Sequence, residues 1–281
     1  MKKIEHYVQG NWTTGKEEGT PILDAVTGEA FTSVAIEGLD IPEILNYGRT
    51  KGGEVLRKMT FQERGRMLKA LAFFLLEKKE RYYGVSSWTG ATKIDSWIDI
   101  EGGIGNLFAN ASLRKQFPDL PYYVDGVAAP LSKGGSFIGH HIMVPKEGVA
   151  IHINAFNFPI WGMLEKIAVN LMAGVPAIVK PSEFTCYLTE VMVRDIIESK
   201  ILPEGSLQLV CGLGRGIIDH VDARDTVTFT GSASTGKVLK GLPQITENSV
   251  AFNLEADSLN ASILGKHATP ETAEYLSLIH I

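Results

Sequence analysis

From about residue 147 onward, short apolar runs rich in β-branched residues alternate with longer amphipathic stretches. The apolar runs lie at 148–153, 175–179, 207–210, 226–229 and 250–254, and the amphipathic stretches lie at 161–173, at 186–199 and from near Ser234. Runs of the first kind are typical of buried strands, and stretches of the second kind are typical of helices. Strands that alternate with helices predict an α/β fold with a parallel sheet covered on both faces.

The first 146 residues follow a different pattern. Turn signals divide 8–32 into short extended pieces, whereas 41–58 and 92–112 are typical of helices. A further helix is predicted to begin at Thr60, where Thr60 and Glu63 form a capping-box pattern. Prolines and glycines between 117 and 146 indicate strands and loops.

Composition excludes several classes of protein. The 281 residues carry a net charge of −5, and 44% of them are hydrophobic, which is typical of a globular protein and not of a nucleic-acid-binding one. No apolar run approaches the roughly 18 residues of a membrane span, and the amino terminus lacks the apolar core of a secretory signal. Two cysteines, Cys186 and Cys211, exclude a disulfide framework and favour the cytoplasm.

In parallel sheets, ligands bind at the carboxyl ends of the strands, so the residues after each apolar run are candidates for function. Asn154 and Asn157 follow the first run; their amides are suited to an oxyanion, although Asn also forms turns. Lys180, Ser182 and Glu183 follow the second run. They are suited to the phosphate or ribose of a nucleotide, and the alternative is a solvated loop in which Ser182 caps a helix.

Two glycine-containing segments follow the next runs. The segment at 212–216 lacks the G-x-G-x-x-G spacing, since Ile217 stands where the last glycine belongs, so it is not a standard dinucleotide loop. Gly231 and Ser232 come directly before a predicted helix, whose first amides would point at a phosphate. A plain strand–turn–helix junction is the alternative.

Glu255 follows the fifth run. The apolar residues before it predict partial desolvation, which would raise its pKa and suit it to proton transfer near neutral pH. A structural hydrogen bond is the alternative interpretation. Asp257 is a rival carboxylate, for which helix capping is the simpler role.

Four segments, INAFNFP, IVKPSE, FTGSASTG and FNLEADSLN, together resemble the aldehyde dehydrogenase superfamily in order and spacing. The segments FNLEADSLN, INAFNFPIWGMLEKIAVNLMAGVPAIVKP and LPYYVDGVAAPLSKGGSF are similar, more narrowly, to the dehydrogenase half of the bifunctional phenylacetate-degradation proteins. The resemblance extends to about residue 275. It implies a Rossmann-type parallel sheet with flanking helices, and a catalytic domain that is truncated in this chain.

The resemblance also implies a division of the chain. Residues 1–146 are expected to form an N-terminal extension, with hairpin or oligomerisation strands and helices that pack on the cofactor domain. Residues 147–275 are expected to form the NAD(P)-binding domain. The parent enzyme is expected to be a homo-oligomer that acts on a small-molecule aldehyde, without nucleic-acid or membrane partners.

By position, the resemblance implies that Asn157 is the oxyanion-hole amide and that Glu255 is the general base that activates water. The cofactor-binding residues that it implies are Ile153, Lys180, Ser182, Glu183, Gly231, Ser232 and Gly236. The expected cofactor is NAD or NADP. Glu183 beside the adenosine ribose would repel a 2′-phosphate, so we expect NAD to be accepted.

The implied reaction is covalent: a cysteine thiolate attacks the aldehyde to give a thiohemiacetal, and hydride passes to the nicotinamide to leave a thioester. Water activated by the base then hydrolyses the thioester. In the family the nucleophile lies several dozen residues beyond the glutamate, and this chain ends 26 residues after Glu255. Cys186 and Cys211 do not match its position. We therefore expect the chain to lack the nucleophile and to be inactive alone. The ending at 276–281 resembles a translated sequencing adaptor, so the native gene is expected to have been cut near Tyr275.

The implied substrate is a CoA-thioester semialdehyde of phenylacetate catabolism. A dehydrogenase for another aldehyde, and a non-catalytic nucleotide-binding or interaction protein that retains the fold, are the alternatives. A short-chain dehydrogenase is disfavoured because the glycine fingerprint is missing and because neither Tyr187 nor Tyr275 is followed by a Lys four residues later. No metal is expected, because His140, His141 and His152 lack acidic or cysteine partners at ligand spacing.

Overall fold

The computed structural model describes residues 3–212, 216–257, 263, 265–269 and 271. Part of the glycine segment (213–215), Tyr275 and the ending at 276–281 lie outside the described residues, so the predictions made for them stay predictions.

The strands form one seven-stranded sheet and two separate hairpins in the described part of the chain. The strands are β1 (His6–Val8), β2 (Asn11–Thr13), β3 (Thr20–Leu23), β4 (Ala30–Val34), β5 (Tyr123–Pro130), β6 (Ile138–Met143), β7 (Ala150–Ile153), β8 (Ala177–Lys180), β9 (Leu207–Leu209), β10 (Thr226–Gly231) and β11 (Ala251–Ala256). The large sheet has the order β11-β10-β7-β8-β9-β1-β2, with β3–β4 and β5–β6 as the hairpins. The five strands from β7 to β11 are parallel, as predicted.

Helices cover both faces of the sheet, as the alternating pattern predicts. They are α1 (Ile41–Tyr47), α2 (Gly53–Lys58), α3 (Phe61–Glu77), α4 (Lys79–Ser86), α5 (Lys93–Trp97), α6 (Gly103–Ser112), α7 (Pro159–Met172), α8 (Cys186–Ser199), α9 (Ala233–Lys240) and α10 (Pro243–Thr246). The capping box at Thr60 and Glu63 is present and starts α3. None of the helices in the described residues is long and apolar enough to cross a membrane.

Two hydrophobic clusters lie on opposite faces of the sheet, because successive side chains of a strand point in opposite directions. Val179 and Leu209 belong to the cluster formed with α3, α6, α7 and α8. Ile178 and Val210, one residue away in each strand, belong to the cluster formed with α1 and α10. Strands buried on both faces explain why the sequence shows continuous apolar runs there.

The amino-terminal strands are part of the main sheet. Tyr7 of β1 pairs antiparallel with Leu209 of β9, and β2 continues the sheet beyond β1. The sequence predicts extended pieces here, but it does not reveal that they extend the parallel sheet. The division of the chain at residue 146 stays a prediction.

The first predicted helix (41–58) is continuous but contains a π-helical segment at Gly48–Gly52. Two backbones pack closely within this segment. A Cβ atom on Gly52 would lie 2.0 Å from the carbonyl oxygen of Gly205, in the loop before β9. Gly52 has an ordinary helical φ of −71°, so proximity alone requires glycine at this position.

We expect Gly52→Ala to destabilise the protein by about 1–3 kcal/mol, because a methyl group must displace the backbone at Gly205. The matched control is Gly84→Ala in α4, where a Cβ meets nothing within 4 Å. That change should raise stability by about 0.5–1 kcal/mol, since Ala loses less conformational entropy than Gly in a helix. Urea unfolding followed by circular dichroism measures both, and equal effects at the two sites would contradict the packing argument.

Candidate functional site

The order of the strands creates a crevice beside β7. From β7 the chain runs to β8 and β9 on one side, and then crosses to β10 and β11 on the other. Such a reversal of strand order separates the loops at the carboxyl ends of the strands and opens a ligand site there. A cavity of about 1020 Å³ occupies this position.

The cavity brings together most of the predicted site residues. Its lining includes Ile153, Asn157, Lys180, Ser182, Glu183, Gly231, Ser232 and Glu255. Gly236 is not part of the lining. A Cβ atom on Gly236 would lie 2.3 Å from Leu254 Cδ1, so the structure explains this glycine by the close packing of α9 on β11.

The loop after β7 is held in an unusual conformation. Phe158 has the left-handed φ of 49° and leads directly into Pro159, the first residue of α7. A left-handed bulky residue costs about 1–2 kcal/mol, and strain of this kind is concentrated at functional sites. The turn leaves Asn157 exposed at the cavity.

Asp99 fixes the start of α7 from a distant part of the chain. Its Oδ1 accepts hydrogen bonds from the backbone N–H groups of Ile160 (3.0 Å) and Trp161 (2.7 Å). These amides are among those that an α-helix leaves unpaired at its start. Burial raises the pKa of Asp99 to about 7, although the two N–H donors lower it in part.

Lys180 and Glu183 form an ion pair at the end of β8. Lys180 is buried, and its Nζ lies 3.6 Å from Glu183 Oε2. Burial lowers the pKa of Lys180, while Glu183 raises it in part. Ser182 is buried and accepts a bond of 3.4 Å from the Phe184 N–H, whereas the N-cap residue of α8 is Thr185. The alternative role of Ser182 as a helix cap is therefore wrong.

Ser232 caps α9 at the end of β10, where its Oγ accepts from the Thr235 N–H at 3.2 Å. The Ala233 N–H donates to Asp257 Oδ1 at 3.2 Å, so the capping role considered for Asp257 is confirmed. Gly231, Ser232 and Thr235 line the cavity at the start of α9, where the Ala233 and Thr235 N–H groups already have partners.

Glu255 is held by two neighbours. Its Oε2 accepts from Thr230 Oγ1 at 3.0 Å and lies 3.9 Å from Lys166 Nζ. The expectation of partial desolvation is wrong, because the side chain is 64% exposed. The reason is that β11 is the edge strand of the described sheet and carries mostly exposed residues.

Lys166 and Glu165 are site residues that the sequence analysis missed. Lys166 Nζ lies 2.6 Å from Glu165 Oε1, and Glu165 Oε2 accepts from Trp161 Nε1 at 2.8 Å. These side chains connect the face of α7 to Glu255. Trp161 and Glu165 are four residues apart, so the sequence alone places them on one face of a helix. It does not show where that face points, because this depends on packing.

The two cysteines lie away from the cavity lining, and both are buried. Cys186 Sγ donates to the Glu183 carbonyl at 3.4 Å. His152 is also buried, with Nδ1 2.8 Å from Thr228 Oγ1 and Nε2 2.8 Å from Asn170 Oδ1. Burial lowers the pKa of His152 to about 4.

Residues 12–275 match the aldehyde dehydrogenase family. The 3,4-dehydroadipyl-CoA semialdehyde dehydrogenase of Aromatoleum evansii is 41% identical over 274 residues, which cover 97% of this chain and 53% of that protein. The chain therefore spans about half the length of the curated relatives it matches.

Solved structures share the fold. A betaine aldehyde dehydrogenase from Staphylococcus aureus, in complex with NAD+, has a TM-score of 0.79 at 21% identity, covering 98% of this chain and 54% of that one. A 3,6-anhydro-L-galactose dehydrogenase in complex with NAP has a TM-score of 0.77 at 20% identity, covering 92% of this chain and 52% of that one.

The buried carboxyl of Asp99 predicts a pH dependence of stability. Its folded pKa of about 7 lies above the ordinary 3.8, so the folded state holds the proton more tightly between these values. Stability from this group is therefore full below about pH 4 and is lost as the pH rises towards 7. In Asp99→Asn the amide does not titrate. The unfolding free energy of the variant relative to wild type should rise with pH across this window, by at most about 1.4 kcal/mol per pH unit.

Urea titrations at half-unit pH steps measure this difference. Asp119→Asn, at an exposed loop position, is the control and should give a constant offset. A constant offset for Asp99→Asn as well would show that the proton affinity of Asp99 is the same in the folded and unfolded states.

Proposed function

Because the chain belongs to the aldehyde dehydrogenase family, we propose that it forms the cofactor-binding part of an enzyme that oxidises an aldehyde to a carboxylate with NAD or NADP. The observation that carries the proposal is the meeting of Asn157, Lys180, Ser232 and Glu255 in one cavity at the strand-order reversal. These residues come from four separate strand ends.

The residues of the cavity fit a dinucleotide. Its volume of about 1020 Å³ is at the upper end of ordinary ligand pockets. The start of α9, where Gly231 and Ser232 line the cavity, is suited to a phosphate. An anion that bound there would compete with Asp257 for the Ala233 N–H.

The buried pair of Lys180 and Glu183 is suited to the adenosine ribose. The Nζ group donates to ribose hydroxyls, and the carboxylate accepts from them. Glu183 also disfavours a 2′-phosphate by charge repulsion. On this basis we propose NAD as the preferred cofactor.

The other end of the cavity is suited to the reaction. The Asn157 amide would donate to the oxygen of the aldehyde as negative charge develops on it. Glu255 would take a proton from water, and its exposure gives it access to that water. Thr230 and Lys166 orient the carboxylate. The bound cofactor would supply the oxidising power, by accepting hydride from the substrate.

The substrate class is proposed from the relative with 41% identity, whose name specifies a CoA-thioester semialdehyde. A CoA-thioester semialdehyde of phenylacetate catabolism agrees with that name and with the sequence resemblance. A homo-oligomeric parent enzyme is supported by exposed apolar side chains on the β5–β6 hairpin, such as Val127 and Ile142. Two buried free cysteines agree with a cytoplasmic location.

We expect the 281-residue chain to bind the cofactor without turnover. NADH should bind with a micromolar Kd, detected by its fluorescence, whereas aldehyde-dependent reduction of NAD should be undetectable at 340 nm. The reason is that both cysteines of the sequence are buried outside the cavity lining. Lys180→Ala should weaken binding about tenfold by removing charged hydrogen bonds, and Lys240→Ala, at the far end of α9, is the control.

Failure of NADH and NADPH to bind a folded chain would refute the proposal in favour of an interaction protein that retains the fold. Measurable turnover would instead refute the expectation that neither Cys186 nor Cys211 is the nucleophile.

Glu183→Gln should change the choice between cofactors. Removal of the carboxylate ends the repulsion of the 2′-phosphate, so the ratio of the NADPH Kd to the NADH Kd should fall about tenfold, which equals about 1.4 kcal/mol. Glu198→Gln, near the end of α8 and away from the cavity, should leave the ratio unchanged. An unchanged ratio in Glu183→Gln would exclude this carboxylate as the selecting group.

A further inference from the structure

Asn154 is a buried carboxamide whose hydrogen-bonding capacity is unused. Its side chain is 4% exposed, and neither Nδ2 nor Oδ1 has a hydrogen-bond partner among the residues that the structure describes. Buried polar groups are nearly always paired, and an unpaired one costs free energy on desolvation. An exception in the wall of a ligand cavity therefore requires an explanation, and Asn154 is part of that wall.

The backbone holds Asn154 firmly in place. It follows Ile153, the last residue of β7, and its N–H donates to the Lys180 carbonyl at 3.0 Å. The side chain lies between the sheet and the first turn of α7, where its Cγ is 3.8 Å from the position of a Cβ on Gly162. The orphaned carboxamide is therefore a feature of the folded framework and not of a surface loop.

A short series of contacts connects Asn154 to the reacting end of the cavity. The Gly162 carbonyl accepts from Lys166 Nζ at 3.3 Å, and the same Nζ lies 3.9 Å from Glu255 Oε2. Asn157 is three residues further along the same loop. Asn154, Asn157 and Glu255 thus line the same cavity.

The chemistry of the free groups is specific. A primary carboxamide offers an N–H donor and a carbonyl acceptor side by side in one plane. The edge of adenine offers a donor beside an acceptor and can pair with a carboxamide. A second primary carboxamide also satisfies both groups at once, through two parallel hydrogen bonds. The nicotinamide ring carries such a group.

We propose that Asn154 positions the nicotinamide ring by pairing with the ring's own carboxamide. This inference rests on the proposed function, since it requires a nicotinamide dinucleotide in the cavity. It assigns to Asn154 a role separate from that of Asn157, whose amide is directed at the substrate oxygen. It also predicts that the folded protein without cofactor carries the free-energy cost of an unpaired buried carboxamide, because the partner of Asn154 arrives with the cofactor.

Asn154→Leu in the 281-residue chain tests the proposal, because it keeps a similar volume and removes both polar atoms. Calorimetry measures three probes: NAD, ADP-ribose, which lacks the nicotinamide, and the 3-acetylpyridine analogue of NAD, which has a methyl group in place of the amide nitrogen. We expect the variant to bind NAD about tenfold more weakly, which is about 1.4 kcal/mol, and to bind ADP-ribose unchanged. Wild type should prefer NAD over the analogue, and the variant should bind the two equally.

Thermal unfolding without ligand supplies a second measurement. The variant should melt at the same temperature as wild type or higher, since an unpaired buried polar group is removed. Asn110→Leu, a carboxamide on α6 outside this cavity, is the control and should leave the affinity for all three probes unchanged.

Three results would overturn the proposal. Equal weakening of NAD and ADP-ribose would place the effect away from the nicotinamide. Unchanged affinity for every probe would assign the carboxamide a partner other than the cofactor, such as a buried water. A lower melting temperature with unselective loss of binding would assign it a structural role. If wild type binds neither NAD nor ADP-ribose, the result is a different one: it refutes the proposed function itself, and this inference with it.

Discussion

The parallel pairing of β7 with β8 on one side and β10 on the other is the interaction on which the site depends. It aligns Ile153 with Lys180 and with Phe229, so β7 and β8 end at one level of the sheet and β10 runs two residues further, to Gly231. The loops then diverge because the chain continues in opposite directions from β7. A cavity follows from this geometry without any special loop sequence, which explains how the site forms although a standard glycine fingerprint is missing.

A second constraint acts on the loop after β7. Left-handed Phe158 and Pro159 force the chain to turn directly into α7, and Asp99 accepts two of the amides at the start of that helix. The carboxylate is supplied by the helical segment before α6, so the packing of the amino-terminal helices determines where α7 begins. The position of Asn157 therefore depends on residues almost sixty positions earlier in the chain. This dependence gives the amino-terminal part a role in the site.

The parts of the site that can be predicted from the sequence are those that follow strands. Lys180 and Ser232 come at the ends of apolar runs, and the alternation of runs is enough to place them at one edge of a sheet. Lys166 escapes such reasoning because its approach to Glu255 depends on how α7 is rotated on the sheet. Gly236 shows the opposite difficulty: a small residue beside a phosphate motif and a small residue that allows close helix packing have the same appearance in sequence.

The exposure of Glu255 shows why burial is harder to predict than secondary structure. The run before it is apolar enough to be a central strand, yet β11 pairs only with β10 among the described residues and forms an edge. Its carboxylate is consequently oriented by specific partners, Thr230 and Lys166, and not by an apolar environment. Asn154 is the reverse case, since its environment is closed and its carboxamide has no partner in the described part of the chain. An exposed base with water access and a closed, unpaired carboxamide differ in what they require: the first needs only solvent, whereas the second needs a partner that offers both an acceptor and a donor.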